Sequence, residues 1–272
     1  MRTTFATLPG SAKPNEDFIA VTDDLVVMLD GATTPGAVIT GCSHSTRWFA
    51  RSLGTEIFAH VEADPTRGLA DSLALAIQAL NERHQATCDV THPGHPSATV
   101  ALLRETADAF EYLVLADSTV VIESKAAGVQ IISDNRLDAV AAADHEQLLA
   151  APHGSPEHEL AFVEFTTKLQ KFRNQHGGFW VASTKPEAAY EAIAGRVDHT
   201  DFVQAAVLTD GASRLADRFQ QADWINVLDI LSIDGPGHLI NQVRETEAAD
   251  PDGKRWPRGK VHDDATAAYC QP

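Results

Sequence analysis

Val26-Val27-Met28-Leu29-Asp30-Gly31 is an apolar run of strand length that ends on a carboxylate and then a glycine. An aspartate also ends Leu113-Val114-Leu115-Ala116-Asp117 and Ala206-Val207-Leu208-Thr209-Asp210, the latter again followed by a glycine, while Asp263 opens the last apolar run of the chain. An ionised group beside apolar neighbours costs several kcal/mol unless something compensates it. Carboxylates at several strand ends therefore point to a compensating cation. Hard divalent ions, which take carboxylate, carbonyl and water oxygens as ligands, fit that demand.

Two such ions about 3.5 to 4 Å apart can share a carboxylate and a water, and the water then becomes a nucleophile near neutral pH. The cations also offset charge on phosphoryl oxygens, so the chemistry is hydrolysis of phosphate esters without a covalent protein intermediate. The spacing around Asp30 fits this. Asn15-Glu16-Asp17 precedes it by a short strand, a turn at Thr22-Asp23-Asp24 and a second strand, a hairpin that brings Glu16 near Asp30. In Asp30-Gly31 and Asp210-Gly211 the glycine permits a sharp turn and lets its carbonyl approach an ion. An Asp-Gly pair alone is also a common turn dipeptide.

These residues, followed in order by Ser97-Ala98-Thr99, Ala116-Asp117-Ser118, Leu208-Thr209-Asp210-Gly211 and Asp263-Asp264-Ala265-Thr266, give the chain its resemblance to the metal-dependent protein phosphatase family of the 2C type. Asp144-His145 and Gly177-Gly178 are further echoes. The resemblance implies a Mg²⁺- or Mn²⁺-dependent phosphatase acting on phosphoserine and phosphothreonine in protein substrates, with two ions and in some members a third. Carried over residue by residue, Asp30 bridges both ions, the Gly31 carbonyl binds one, and Glu16 holds that same ion through water with Asp17 in support. Asp210 and Asp263 hold the other, and Asp117 matches the carboxylate linked to the third. Asp264 stands where the family often has Asn or Asp.

The departures are specific. Ala116-Asp117-Ser118-Thr119 replaces the family's frequent Gly-Asp-Ser-Arg, and Ala32-Thr33-Thr34-Pro35-Gly36 contains no histidine to act as general acid, which leaves His44 as the nearest substitute. Nothing matches the flap motif after the Gly-Gly pair. The family's phosphate-binding arginine near the amino terminus has Lys13 as its nearest basic counterpart, a point charge without the bidentate guanidinium. Two rivals share the fold: a catalytically silent relative that binds phosphoproteins or regulators, and a hydrolase of small phosphorylated metabolites.

The 272 residues suffice for one catalytic domain spanning 1–272, with no internal repeat or evident linker. No apolar run approaches the roughly 18 residues a membrane span needs, and Met1-Arg2-Thr3-Thr4-Phe5 lacks the apolar stretch of a secretory signal, so a cytoplasmic protein without membrane attachment is expected. Cys42, Cys88 and Cys270 are widely spaced and suggest neither a disulfide framework nor zinc, and Cys42 and His44 lack a second pair at familiar spacing. His92 and His95, in a Pro/Gly loop, read as surface residues.

A formal charge of −17 argues against nucleic acid as a partner, because phosphate backbones are held by many Lys and Arg contacts. It would also repel a phosphorylated substrate unless cations reverse the local field. Lys254, Arg255, Arg258 and Lys260 form a basic patch ahead of Asp263, with a solvated loop as its expected role and phosphate contact as the alternative.

The periodicity predicts three strands over 1–30, helices near 44–60 and 66–89, the latter with Leu69, Leu73, Ile77 and Leu80 at helical spacing, then strands at 97–104, 109–116, 119–124 and 128–133. A helical stretch over 138–175, broken at 151–156, precedes a strand at 178–182, a short helix at 186–194 and a strand at 202–209. Helices at 222–232 and 236–248, a polar loop over 249–262 and a closing strand complete the chain. Strand clusters separated by helix pairs indicate an α+β fold with two antiparallel sheets face to face and helices outside. The resembled family has this four-layer α/β/β/α sandwich, with helix pairs flanking the central sheets.

Overall fold

In the computed structural model, which describes residues 1–272, strand β3 (Leu25–Gly31) is buried on both faces: Leu25, Val27 and Leu29 enter one layer of core, and Val26 and Met28 another. A strand apolar on both sides needs cover on both sides. Helices cover one face of β3 and a second sheet covers the other.

β3 lies in a five-stranded antiparallel sheet with β2 (Phe18–Val21), β4 (Ala98–Glu105), β5 (Ala109–Leu115) and β8 (Ile193–Asp198), in the order β2-β3-β4-β5-β8. The facing antiparallel sheet has the order β1-β10-β9-β6-β7, from β1 (Arg2–Leu8), β6 (Thr119–Ser124), β7 (Gly128–Ile132), β9 (Phe202–Leu208) and β10 (Ala265–Gln271). Between the sheets, Val26, Met28 and Ala101 pack with Val120, Ile122 and Val207.

Helices α1 (Thr46–Ala63) and α2 (Leu69–His84) cover the outer face of the first sheet, with Phe49, Leu53, Ile57, Leu73, Ile77 and Leu80 in its core. The Ser45 side chain starts α1 by accepting from Trp48 N–H at 3.2 Å. Three short helices, α3 (Arg136–Ala139), α4 (Ala142–Ala150) and α5 (Pro156–Leu169), lie between β7 and β8. The second sheet is covered by α6 (Asp210–Asp217), α7 (Trp224–Ile233) and α8 (Pro236–Ala248) through Leu215, Leu228, Leu231, Leu239 and Val243. No helix is long and apolar enough to cross a membrane.

The expected elements differ from this structure in three places. Residues 178–182 form only isolated bridges, Ala98 with Ala182 and Arg173 with Phe179, because the Asn174 side chain takes the Val181 N–H at 2.8 Å that a ladder would use. The short helix is a 3₁₀ turn over Pro186–Glu191, and Ile193–Asp198 pairs with β5 as an edge strand. Asp210-Gly211 opens α6 directly behind β9, where no helix was expected.

Candidate metal centre

Asp30 continues the Val26 and Met28 side of β3, the side that faces the other sheet, and it sits opposite Thr99 in the ladder to β4. Its backbone N–H donates to Thr99 Oγ1 at 3.3 Å. The strand thus delivers Asp30 to one end of the gap between the sheets. From the other sheet, β9 leads into Asp210, in the first turn of α6, and β10 is preceded by Asp263 and Asp264. The loop from β1 to β2 contributes Glu16 and Asp17.

Asp17 is held by two hydroxyls: Thr266 Oγ1 donates to its Oδ2 at 2.6 Å and Thr209 Oγ1 at 3.1 Å. Its Oδ1 is buried without a partner, as is Oδ1 of Asp210. Orphaned carboxylate oxygens are expensive unless an ion takes them. Glu16 Oε2 accepts from Thr33 Oγ1 at 2.5 Å, and Thr33 Oγ1 in turn accepts from Lys260 Nζ at 3.0 Å. Asp264 stands apart in function: Oδ1 accepts from Gly10 N–H at 2.8 Å and Oδ2 from Glu16 N–H at 2.7 Å, so its carboxylate ties the β1–β2 loop to the start of β10.

The carboxylates repel one another. Burial, and then Asp210, Asp17 and Asp263, push Asp30 well above the usual carboxylate range. Burial and the neighbouring aspartates also push Asp17 up to about 7, against the lowering effect of the Thr266 hydroxyl. Asp117, at the end of β5, is raised to about 7 by burial and by Asp210. Burial and Asp263 raise Asp210 against Arg214 and Lys260. Burial raises Glu16 against Thr33 and Lys260. Asp263 is the exception: burial opposes ionisation, but Lys260 and Arg214 outweigh it and hold the group below the usual range. Each shift away from the ionised form reports burial first and like charge nearby second, and a bound cation would offset both.

Close backbone approach accounts for both glycines. A Cβ at Gly31 would lie 2.8 Å from the Glu16 carbonyl oxygen, and one at Gly211 would overlap the Asp264 carbonyl. Ala116, just before Asp117, adopts φ 68°, a left-handed conformation better suited to the glycine that the resembled family often has there.

The structure brings Glu16, Asp17, Asp30, Gly31, Asp117, Asp210 and Asp263 to one end of the sheets, from the β1–β2 loop, the ends of β3, β5 and β9, and the segment that leads into β10. Lys13 lies elsewhere in character. It is exposed on the β1–β2 loop, with its backbone N–H on Ser11 Oγ at 3.1 Å. The basic side chain among the aspartates is Lys260, whose Nζ lies 2.6 Å from Asp263 Oδ1. Its patch divides: Arg258 is fully buried and bonded to Asp250 and to the Trp256 and Val261 carbonyls, Lys254 pairs with Asp252 in solvent, and Arg255 lies over the Trp256 ring.

Arg214 escaped the sequence reading. It is buried, donating to Glu247 Oε1 at 2.8 Å and to Asp263 Oδ2 at 2.9 Å. The available signal was its position four residues after Asp210, one helical turn along α6. His44 is turned away from the acid role considered for it, packed against Cys42, Cys88 and the Trp48 ring. His95 is buried, not on the surface. A cavity of about 580 Å³ opens at the opposite end of β3 and β4, beside Asp24 and Arg104, and includes none of the centre's carboxylates.

Among solved structures, the serine/threonine phosphatase Stp1 from Staphylococcus aureus superposes with a TM-score of 0.58 at 13% identity, covering 99% of this chain and 94% of that one. The catalytic domain of the serine threonine protein phosphatase PstP, in complex with two manganese ions, gives 0.55 at 13% identity over 99% and 97%. The phosphatase MsPP from Mycobacterium smegmatis, in complex with cacodylate, gives 0.54 at 14% over 99% and 97%. These likenesses establish the fold. No curated protein sequence matches the chain. The family model for protein phosphatase 2C matches residues 10–232, most of the chain, and the chain belongs to that family.

Proposed function

We propose that this protein is a cytoplasmic Mg²⁺- or Mn²⁺-dependent phosphatase of phosphoserine and phosphothreonine residues in proteins, with residues 1–272 acting as one catalytic unit. The observation that carries the reading is the pair of partnerless buried oxygens, Asp17 Oδ1 and Asp210 Oδ1, beside an Asp30 whose ionisation burial and the neighbouring carboxylates oppose. Pairing of β1 with β10 joins the two ends of the chain in one sheet and supports the single unit.

In this reading Asp30, the Gly31 carbonyl and, through water, Glu16 would hold one ion with Asp17 in support, Asp30, Asp210 and Asp263 would hold the other, and Asp117 would serve a third. When bound, such ions offset phosphoryl charge and make a water nucleophilic at neutral pH. The chain's own groups prepare the centre. Thr209 and Thr266 fix the Asp17 carboxylate, Thr33 fixes Glu16, and Arg214, anchored on Glu247, fixes Asp263. Lys260, rather than Lys13, supplies the ammonium that attracts the phosphoryl group.

The test is phosphate release from p-nitrophenyl phosphate and from a phosphothreonine peptide, with and without Mn²⁺, by wild type and Asp210→Ala. The reading predicts Mn²⁺-dependent turnover of both, reduced on the order of 100-fold or more in the variant. A metabolite panel turned over far faster than any phosphopeptide would move the substrate to small phosphate esters.

One observation favours a second reading, a catalytically silent phosphoprotein-binding relative. Both oxygens of Asp263 already carry ion pairs, to Lys260 and to Arg214, which reduces the charge left for a second ion. Wild-type protein that binds Mn²⁺ but turns over neither these two compounds nor the metabolite panel would favour it.

A further inference from the structure

Away from the acidic centre, α1 and α2 bring together a second set of metal-seeking side chains. Cys42 and His44 precede α1, His84 ends α2, and Cys88 and His95 follow in the loop to β4. The Sγ atoms of Cys42 and Cys88 are 3.3 Å apart, and the donor atoms of Cys42, His84 and Cys88 all lie within 4.8 Å of one another. His84 Nε2 is 3.0 Å from His95 Nε2. Both imidazoles are buried, and so is Cys88.

The hydrogen bonds decide what these atoms present. His84 Nδ1 lies 2.5 Å from the Leu80 carbonyl and His95 Nδ1 lies 3.2 Å from the Pro96 carbonyl. A carbonyl only accepts, so each Nδ1 carries the ring proton and each Nε2 presents a lone pair. The two lone pairs then face each other with no proton between them. A cation relieves that repulsion, and Nδ1–H on a backbone carbonyl is the usual way in which a metal-binding histidine is oriented. The sulfurs are prepared similarly. Ser43 N–H donates to Cys88 Sγ at 3.4 Å, His44 N–H to Cys42 Sγ at 3.4 Å, and His44 Nδ1 lies 3.3 Å from Cys88 Sγ and 3.5 Å from Cys42 Sγ, close enough to donate to a thiolate.

We propose that Cys42, Cys88, His84 and His95 form a closed tetrahedral site for a zinc ion, with His44 as the N–H donor that holds the two sulfurs. Zinc bonds of about 2.3 Å to sulfur and about 2.0 to 2.1 Å to nitrogen set tetrahedral edges of about 3.8 Å between sulfurs and about 3.4 Å between nitrogens. The observed 3.3 Å between the sulfurs and 3.0 Å between the two Nε2 atoms are within half an ångström of these; Cys42, His84 and Cys88 are the assembled part of the site, and His95 joins it through its approach to His84. Two thiolates also neutralise the ion, so no further charge is needed in this aromatic pocket of Trp48 and Phe49. The site fastens the segment after Asp30-Gly31 to the end of α2, next to the Asp89 N–H to Gly41 carbonyl bond of 2.8 Å. It is structural and independent of the phosphatase reading.

The test uses the reduced full-length protein, freed of metal and titrated with Co²⁺. The proposal predicts one equivalent with the intense visible bands of tetrahedral cobalt and a near-ultraviolet thiolate-to-cobalt band, displaced by zinc. Asp210→Asn, which weakens only the acidic centre, keeps that spectrum. His84→Ala and His95→Ala bind about 100-fold or more weakly, whereas His44→Gln retains the one-equivalent endpoint with a smaller loss. Reduced wild-type protein that gives no thiolate-to-cobalt band overturns the proposal, whatever the variants do. So does a Cys42–Cys88 disulfide as the native state of anaerobically purified protein.

Discussion

The ammonium of Lys260 lies 2.6 Å from Oδ1 of Asp263, inside the cluster of carboxylates expected to hold divalent ions. A lysine there adds charge that favours a phosphate and opposes a cation. At about 4 Å, a unit charge pair is worth about 1 kcal/mol in water and about 4 kcal/mol at an effective dielectric of 20. Lys260→Met is therefore expected to tighten Mn²⁺ binding about tenfold by calorimetry and to raise KM for p-nitrophenyl phosphate. Weaker Mn²⁺ binding in the variant would mean that Lys260 positions Asp263 instead of competing with the ion.

Stability should depend on pH in a direction opposite to that of most acidic proteins. Asp17 and Asp117 titrate near 7 in the folded chain against an ordinary value of 3.8. Between these values the folded state binds more protons than the unfolded one, so stability falls as pH rises from about 4 to about 7. Thermal melts without added Mg²⁺ or Mn²⁺ are expected to show the midpoint falling across that window, and added Mn²⁺ to flatten the slope. A midpoint that rises with pH in the absence of added ions would contradict the clustering of uncompensated carboxylates.

Asp264 is a loop clamp through its hydrogen bonds from Gly10 N–H and Glu16 N–H. Asp264→Ala removes both acceptors and is expected to cost about 2 to 3 kcal/mol in urea unfolding. Mn²⁺ affinity should fall as well, because the backbone that carries Glu16 and Asp17 loosens. Asp264→Asn, which keeps one carbonyl acceptor, should lie between the variant and wild type.

Ala116 at φ 68° is strained by about 1 to 2 kcal/mol relative to glycine. Ala116→Gly also loses a buried methyl, about 0.8 kcal/mol. The balance predicts a small rise in melting temperature with Asp117 left in place. A fall would show that the methyl contact beside Val140, Phe179 and Val181 outweighs the strain.

The acidic centre was legible because each aspartate ends or opens an apolar run, and strand alternation then carries Asp30 to the side between the sheets. What was not legible has physical causes. Helix α6 begins at Asp-Gly, a pair that reads equally as a turn, so the helix and Arg214 within it were missed. Strand β8 is an edge strand with neither face fully buried, and Ile193-Ala194-Gly195-Arg196-Val197-Asp198 shows no alternation to detect. Phe179-Trp180-Val181 has the composition of a strand, but the Asn174 side chain occupies the N–H that pairing requires. The Cys42, His84, Cys88 and His95 set depends on α1 packing against α2. His84, Cys88 and His95 follow one another closely, but Cys42 comes from before α1 and joins them only through the packing, which is why the cysteines suggested no metal and His95 read as a surface residue.

The central claim, that Asp30, Asp210 and Asp263 join Glu16 and Asp17 around divalent ions, is tested most directly by anomalous diffraction from crystals grown with Mn²⁺. Two manganese peaks are predicted at the end of the gap between the sheets, with Asp30 touching both and Asp210 and Asp263 touching one. Crystals of folded protein in saturating Mn²⁺ with no manganese peak against Asp30 or Asp210 would contradict it.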